Sequence, residues 1–569
     1  MTGRATATAK GVSGEPGYWA ARLRARLNRR RLGTLTAGAG AAALLSACAG
    51  GRGAGPAPPS TAGLPSRPRT GGTLNLQLIA DFFDFDSSLG GKTVPNPNAT
   101  TLAYDSLLGF QQGPGVDYEK TTIIGNLATK WETPDAATFT FHLGPGLKFS
   151  SAAPLNGRAL TSADVKWSFE YASRTGALKG TKLPQGQFGY MFEGLQGIEA
   201  PDDTTIVVRF ATPFAPFLSY ATTYGTQIVP HEIYDQDGSF SKQIAGCGPM
   251  QLDVSGSQHG SRWTFKRNPG YLVSGQPYLD GANYLVFKDM ETMYAAFQTH
   301  QLDILKAVVD HDVKSVVAAN PNAVRQQALD PNSQGLYMSA THPPFNDMRV
   351  RQAVALAINR DEFDKTLGAG EGDWPMPAAT PDLWSASETK QILRYDPQQA
   401  KKLLADAGYP NGLKIDLMFA SGKDDATEAQ LLQAQLKAAG IDLAIQQVDA
   451  ATKSSREHGA DYTMDMHAFP IFGDLDSRLY GSYHSKGTAN QQRINDPKLD
   501  TLIDAQRREP DATKRRDLLR AATKYIAENA VDVSMFRQTI NTFWQPYVKN
   551  YADNWQQYNF NIPNVWVEK

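Results

Sequence analysis

Cysteine is almost absent from this sequence, because the 569 residues include only Cys48 and Cys247. Two cysteines cannot form the dense disulfide framework of a small secreted domain. No Cys-x-x-Cys spacing occurs, and none of the nine histidines belongs to a His-Glu-x-x-His motif. The sequence therefore predicts no metal site and no cofactor, and we interpret Cys247, which lies between two glycines, as a buried structural thiol.

The common catalytic motifs are also missing. Neither the nucleophile elbow Gly-x-Ser-x-Gly nor the phosphate-binding loop Gly-x-x-x-x-Gly-Lys-Ser/Thr is present. We interpret Gly256–Gly260 as a surface turn. Asp84–Ser88 begins like a calcium-binding loop but lacks its glycine and its distal glutamate. The sequence therefore gives no reason to predict an enzyme.

Long apolar runs are few, and the net charge of the whole chain is small. No run approaches the roughly 20 apolar residues that a membrane-spanning helix needs. The whole chain has 56 basic and 57 acidic residues, a net charge of −1. Eight of the basic residues but only one acidic residue lie in residues 1–47, which leaves 48 basic and 56 acidic residues, a net charge of −8, in the remainder. This balance argues against nucleic acid and against a polybasic membrane surface.

The N-terminal segment has the order of an export signal. Six arginines lie between Arg22 and Arg31, and a short, mildly apolar stretch follows them. Leu45–Cys48 then resembles the lipobox of bacterial lipoproteins, which implies removal of residues 1–47 and attachment of lipid to Cys48. Asn28–Leu32 resembles a twin-arginine signal, so this route and the general secretory route both stay open. The alternative is a plain secretory signal with an incidental cysteine.

Residues 48–70 predict a flexible tether. Glycine, serine and proline dominate this tract, and such a composition favours flexible or extended chain over a packed core. We expect a globular body to begin near Gly71. This body has about 500 residues, which is too long for one hydrophobic core, so two or more domains are expected.

The first half of the body mixes strands with helices. Gly71–Leu78 and Thr138–Leu143 alternate between apolar and polar residues, as half-buried strands do. Thr161 and Asp164 have the spacing of a capping box at the start of a helix. This half therefore indicates hairpin-like β-structure with interspersed helices.

The second half is typical of α/β structure. Asp396, Pro397 and Gly408 mark the start and end of a helix. Leu413–Phe419 and Ile441–Ile445 read as strands separated by a helix. This order predicts a βαβ unit with a parallel strand pair.

Several segments stand out, in order along the chain: Gly71–Leu78 with Phe85–Ser87, Leu102–Phe110, Leu127–Ala172, Gly246–Met250, Phe265–Tyr271, Pro343–Arg360 and Tyr395–Gly412. In this order they resemble the bacterial extracellular solute-binding proteins of family 5, which serve peptide-class ABC importers. The resemblance covers roughly residues 71–569. One departure is Ser150-Ser151, where the family usually has Asp-Gly, and another is Cys247, where a small hydroxyl residue is common.

The resemblance implies an α/β fold of the two-lobe periplasmic-binding-protein type. The implied fold is of the type II class with an extra subdomain, and would have mixed sheets, flanking helices and a hinge. Residues 71–100, 200–334 and 534–569 would form a discontinuous lobe I, and residues 101–199 would form the extra subdomain within it. Residues 335–533 would form lobe II.

The resemblance also implies ligand-binding residues. In peptide-binding members an aspartate of lobe II binds the α-ammonium group of the ligand, and Asp474 falls at that position. A charge-assisted hydrogen bond of this kind is strong. Ile471 stands where the family usually has an aromatic residue, which leaves the ligand class open, and Phe472 is expected to replace it through its backbone. The alternative role for Asp474 or Asp476 is to cap a following turn or helix.

Four further aromatic residues are candidates for the lining of a binding cleft. Exposed aromatic side chains provide apolar contact without requiring one ligand sequence. The alternative for each residue is core packing. The four are Tyr104, Tyr190, Phe192 and Phe345.

The sequence as a whole predicts a monomeric, lipid-anchored binding protein on the extracytoplasmic face of the cell membrane. It would capture a peptide-class solute and deliver it to an ABC permease, without catalysis and without nucleic acid. One alternative is the same scaffold with an oligosaccharide or a metal chelate as ligand. Another is a sensor or chaperone that presents a ligand to a membrane partner.

Overall fold

A computed structural model describes residues 67–569 except 80, 83–84, 88–96, 119–120, 180–187, 331, 369, 371, 381, 421–422, 470 and 554–560. The predicted signal peptide, Cys48 and nearly all of the predicted tether lie outside the described residues. The chain divides into one unit that ends at Arg69 and a second from Thr70 to Lys569. Among the helices of the described residues, none is both long and apolar enough to cross a bilayer.

Strands occur throughout the second unit. In chain order the described strands are β1 (Thr73–Leu78), β2 (Leu108–Phe110), β3 (Ile123–Gly125), β4 (Ala128–Glu132), β5 (Thr138–Leu143), β6 (Leu195–Asp202), β7 (Thr205–Phe210), β8 (Met250–Leu252), β9 (Arg262–Arg267), β10 (Gly281–Val286), β11 (Ile304–Val309), β12 (Val324–Leu329), β13 (Ser333–Met338), β14 (Leu413–Ala420), β15 (Ile441–Val448), β16 (Met464–Phe469), β17 (Val533–Phe536), β18 (Thr539–Trp544), β19 (Val548–Lys549) and β20 (Trp566–Val567).

Helices are concentrated in the second half. The described α-helices are α1 (Pro97–Ala103), α2 (Ser162–Ser173), α3 (Phe217–Tyr220), α4 (His231–Asp237), α5 (Met290–Gln298), α6 (Asp310–Ala319), α7 (Met348–Ala357), α8 (Arg360–Leu367), α9 (Ala386–Ile392), α10 (Pro397–Asp406), α11 (Lys423–Ala438), α12 (Ala450–Gly459), α13 (Asp476–Arg478), α14 (Pro497–Arg508) and α15 (Ala512–Glu528).

A seven-stranded mixed sheet has the order β12-β18-β11-β1-β10-β9-β8. β1 pairs in parallel with β10 and β11. β18, which comes late in the sequence, pairs antiparallel with both β11 and β12. β18, from the C-terminal part of the chain, therefore lies inside the same sheet as β1, from the N-terminal part.

A four-stranded antiparallel sheet, β4-β5-β7-β6, lies within residues 128–210. The predicted alternation of β5 is confirmed, because Phe139, Phe141 and Leu143 are buried and the intervening residues are more exposed. The predicted capping box of α2 is also confirmed, since Asp164 Oδ2 accepts a hydrogen bond from the Thr161 amide at 2.8 Å.

A five-stranded sheet of order β15-β14-β16-β13-β17 carries the second half of the chain. β14 and β15 pair in parallel and are connected through α11, which confirms the predicted βαβ unit. α10 begins as predicted, with Pro397 in its first turn and the Asp396 carboxylate accepting a hydrogen bond from the Gln399 amide at 2.9 Å.

The chain crosses between the seven-stranded and the five-stranded sheet twice, between Leu329 and Ser333 and between Phe536 and Thr539. We name the parts by sheet membership, with lobe I for residues 70–329 and 539–569 and lobe II for residues 333–536. The largest buried apolar cluster continues from lobe I into Leu475 and Tyr480 of lobe II. The mixed α/β architecture confirms the predicted fold class, while the predicted domain boundaries stay predictions.

Candidate ligand-binding cleft

A cavity of about 760 Å³ lies between the two lobes. Its walls include Thr121 and Leu329 from lobe I and Ile471, Asp474 and Arg515 from lobe II. Volumes of 300–1,000 Å³ are usual for sites that hold small molecules. The predicted site residue Asp474 is therefore at a position where a ligand could contact both lobes.

The turn that carries Asp474 needs a glycine. Gly473 has φ of +70°, and a Cβ atom there would lie 2.5 Å from Thr223 Cγ2 in lobe I. The Asp474 amide donates a hydrogen bond to the Phe472 carbonyl at 2.7 Å, which closes the turn. Glycine at this position thus permits both the backbone conformation and the close approach of the two lobes.

The Asp474 carboxylate is fully engaged within the protein. Arg515 of α15 binds it through two hydrogen bonds, from Nη2 to Oδ1 at 2.6 Å and from Nη1 to Oδ2 at 2.9 Å. The Asp476 amide donates to Oδ1 at 2.8 Å. Burial alone would raise the pKa of Asp474, but the Arg515 guanidinium outweighs it and holds this pKa below its ordinary value.

Asp476 and Arg507 connect the lobes beside this pair. Asp476 is fully buried and accepts a hydrogen bond from the Tyr220 hydroxyl of lobe I at 2.7 Å. Arg507 Nε lies 3.1 Å from Asp476 Oδ2, and its Nη2 donates to the Tyr190 carbonyl of lobe I at 2.7 Å. The Arg507 guanidinium also stacks on Tyr480, 3.7 Å from the ring centroid. These contacts hold the lobes together next to the cavity.

Phe472 inserts between aromatic residues of lobe I. Its ring centroid lies 5.8 Å from that of Phe188 and 5.9 Å from that of Tyr224, both in edge-to-face geometry. Its amide donates to Ser477 Oγ, and its carbonyl accepts from the Asp474 amide. Both backbone groups of Phe472 therefore have internal partners, and the expectation that its backbone binds a ligand stays a prediction.

The structure places the other predicted aromatic residues in packed surroundings. Phe192 packs against Phe169 and Phe217, and Phe345 is fully buried in the core of lobe II. Both residues therefore take the core-packing alternative and do not support the predicted lining role. Tyr104 is also buried, against the close backbone of Gly246 and Gly248. Tyr190 is buried as well, and its carbonyl accepts the hydrogen bond from Arg507.

Sequence reasoning missed Arg515 and Arg507, which organise this region. Arg515 lies 41 residues from Asp474, so no local motif connects them. The only available signal was the concentration of arginines in α14 and α15, and this pattern is also typical of a solvated helix face.

Asp105 follows Tyr104 in a buried environment. Asn126 Nδ2 donates to its Oδ1 at 3.0 Å, whereas its buried Oδ2 has no hydrogen-bond partner in the described part of the chain. Burial raises the pKa of the Asp105 carboxyl from 3.8 to about 7. The folded protein therefore keeps a proton that the unfolded chain releases above about pH 4.

This proton gives an expected pH dependence. As the pH rises from about 4 to about 7, the contribution of Asp105 to the free energy of unfolding falls, because its pKa is higher in the folded state than in the unfolded chain. Asp105→Asn stays neutral and keeps the acceptor for Asn126, so we expect a higher unfolding midpoint than wild type at pH 8 and a similar one at pH 4. Calorimetry at both pH values tests this, and equal midpoints at pH 8 would contradict it.

A second titratable cluster lies in lobe II, on α12 and β16. Glu457, Asp465 and His467 present oxygen and nitrogen atoms within 4.8 Å of one another. Lys453 Nζ lies 2.5 Å from Glu457 Oε1 and 3.1 Å from Asp465 Oδ2. Burial is the main cause that lowers the pKa of His467, to about 4. Because the lysine already provides positive charge here, we interpret the cluster as an internal ion-pair network.

Comparisons with known proteins agree with this architecture. Residues 122–490 match the family described as bacterial extracellular solute-binding proteins, family 5 Middle. The Dipeptide-binding protein of Escherichia coli (strain K12) is 26% identical over 503 residues, which cover 84% of this chain and 90% of that protein. The Glutathione-binding protein GsiB of Pectobacterium atrosepticum is 27% identical over 367 residues, 63% of this chain and 65% of that protein.

Among solved structures, the fold is similar to that of the binding protein DppA from Helicobacter pylori in complex with the peptide STSA. The TM-score is 0.75 at 23% identity, with 88% of this chain and 99% of that chain covered. The binding protein AgaA from A.tumefacien R10, in complex with agropinic acid, also gives a TM-score of 0.75 at 24% identity, with the same coverage of both chains. These likenesses show the fold, and the match to the family extends over more than half of the sequence. The chain belongs to the bacterial extracellular solute-binding proteins of family 5.

Proposed function

We propose that this protein captures a peptide-class solute between its two lobes and delivers it to an ABC importer. The observation that carries the proposal is the cavity of about 760 Å³ whose walls come from both lobes. The similarity to the Dipeptide-binding protein of Escherichia coli supports a peptide-class solute. The proposal includes no catalytic step.

Binding between two lobes suits a carrier. A solute that contacts both walls stabilises the closed arrangement over the open one, because its contacts are complete only when the lobes meet. The two crossings, near residues 330–332 and 537–538, are short enough to act as a hinge. A permease could then distinguish the loaded from the empty protein by shape.

The proposed binding region is centred on the turn at Ile471–Asp474. This turn and the first turns of α15 would form one side of the site, with Thr121 and Leu329 opposite. Tyr190 would act indirectly, through the hydrogen bond that its carbonyl accepts from Arg507. Tyr104, Phe192 and Phe345 would act indirectly, by holding the surrounding core.

The proposed location is the outer face of the cell membrane. The lipobox-like Leu45–Cys48 supports lipidation at Cys48, and the Gly-, Ser- and Pro-rich tract after it supports a tether. The arginines at 29–31 support twin-arginine export. We propose that the protein acts as a monomer, since one chain provides both walls of the cavity.

A non-peptide solute is the second candidate. The observation that favours it is the Arg515 guanidinium, which occupies both oxygens of the carboxylate expected to bind a peptide ammonium group. An oligosaccharide or another small neutral solute would not need that carboxylate.

Uptake measurements test the transport role. Deletion of the gene from its native strain is expected to abolish growth or uptake on the solute that mass spectrometry identifies in the purified protein. Complementation with the wild-type gene should restore it. Normal uptake in the deletion strain would contradict the transport role, whereas a product formed from the bound solute would contradict the absence of catalysis.

A further inference from the structure

The lobe II wall of the cavity contains two carboxylates, and each has an arginine partner from α15. Asp474 binds Arg515 through both oxygens. Asp382 Oδ2 accepts a hydrogen bond from Arg516 Nη1 at 2.9 Å, and its carbonyl accepts from Nη2. The charges on this wall are therefore balanced before any ligand binds.

The two pairs differ in how firmly they are held. The Asp474 and Arg515 side chains are 9% and 15% exposed, whereas those of Asp382 and Arg516 are 58% and 45% exposed. Arg515 also donates to the Gln506 side chain and carbonyl. A ligand ammonium group could bind Asp474 only by displacing a buried two-point ion pair, which is among the strongest side-chain interactions.

What remains on this wall is neutral. Thr380 and Thr513 line the cavity, and each side chain carries a hydroxyl group that can donate or accept a hydrogen bond. Ile471, Leu383 and Leu519 provide apolar surface next to them. Such a wall suits amide or hydroxyl groups and apolar side chains and offers no single unpaired charge.

We infer that Arg515 is a specificity-determining residue, which serves as an internal counter-ion of Asp474 and thereby selects solutes that present a neutral end to this wall. Within the peptide class these are peptides whose α-amino group is blocked, for example by acylation or in a ring. The inference rests on the proposed function and specifies its solute class. It also explains why a carboxylate lies in the cleft without serving as an ammonium ligand.

The test uses two matched probe mixtures. One contains di- to pentapeptides with free amino termini, and the other contains the same peptides acetylated. The purified protein, freed of bound solute by partial unfolding and refolding, is incubated with both mixtures at equal concentration. After gel filtration, mass spectrometry gives the ratio of acetylated to free peptides that stay bound. We expect acetylated peptides to bind at least as well as free ones.

Variants then assign the preference to Arg515. Arg515→Gln uncovers the Asp474 carboxylate, so we expect the retained ratio to shift at least about tenfold toward free peptides. Adding Asp474→Asn to Arg515→Gln should reverse that shift. Arg520→Gln is the matched control, because Arg520 also lies on α15 and pairs with a carboxylate, that of Glu388 on α9, but is not among the residues that line the cavity. Circular dichroism checks that each variant is folded.

Each outcome separates the inference from the proposed function. If wild type retains only free peptides, with a loss of about 30-fold or more on acetylation, Asp474 acts as an ammonium ligand and the inference fails while the function stands. If wild type retains neither mixture, the peptide class fails together with the inference. A folded Arg515→Gln with an unchanged ratio overturns the role of Arg515, and the wild-type ratio decides the solute class even if the variant does not fold.

Discussion

Arg507→Ala is expected to lower the free energy of unfolding by about 3–5 kcal/mol. The Asp476 carboxylate is fully buried, and Arg507 is its ion-pair partner at 3.1 Å. Without the guanidinium, a buried charge loses its compensation, which costs more than the loss of the attraction itself. The substitution also removes the stacking on Tyr480 and the hydrogen bond to the Tyr190 carbonyl across the lobes.

Arg508→Ala is the matched control. Arg508 is the next residue of α14, but its side chain is 57% exposed and pairs only with Asp504 on the surface. Exposed pairs of this kind contribute little, so a change within about 0.5 kcal/mol is expected. Urea unfolding of the three proteins gives both values. If Arg507→Ala cost less than about 1 kcal/mol, the cross-lobe network would not stabilise the protein as described.

Cys48→Ser is expected to move nearly all of the protein from the membrane fraction to the soluble fraction. Serine cannot accept the lipid through sulfur, and with the acyl chains the protein loses about 0.8 kcal/mol of anchoring for each buried methylene group. No helix of the described residues could replace the anchor by spanning the bilayer. Fractionation of cells followed by immunoblotting measures the distribution.

The second cysteine provides the control for this experiment. Cys247 is buried in the folded protein, so its thiol is not accessible for lipidation. Cys247→Ala should therefore stay with the membrane. If Cys48→Ser also stayed with the membrane, lipid on Cys48 would not be the membrane anchor.

The sequence predicts local structure well wherever the physical cause is local. The alternation of β5, the capping box of α2 and the proline at the start of α10 each depend on residues within one element, and each is confirmed. The parallel pair of β14 and β15 is also predictable, because a helix between two strands favours that connection.

The candidate site is harder to predict, because it depends on contacts that are distant in sequence. Asp474 lines the cavity, yet the state of its carboxylate is set by Arg515 of α15, which is distant in the sequence. Phe192 and Phe345 show a second limit. A large aromatic side chain can pack in a core or line a cleft, and the sequence does not distinguish the two because the neighbouring elements decide between them.

The position of β18 has a consequence for how the protein is made. β18 lies between β11 and β12, yet it begins at Thr539, long after β12 ends at Leu329, so it leaves the ribosome well after both of its partners. Until it arrives, β11 and β12 each have an edge without its final partner, and such edges can pair with other chains. The five-stranded sheet waits almost as long for its own edge strand, because β17 ends at Phe536, directly before β18. A chain truncated before Thr539 would complete the five-stranded sheet but would leave β11 and β12 without β18 permanently.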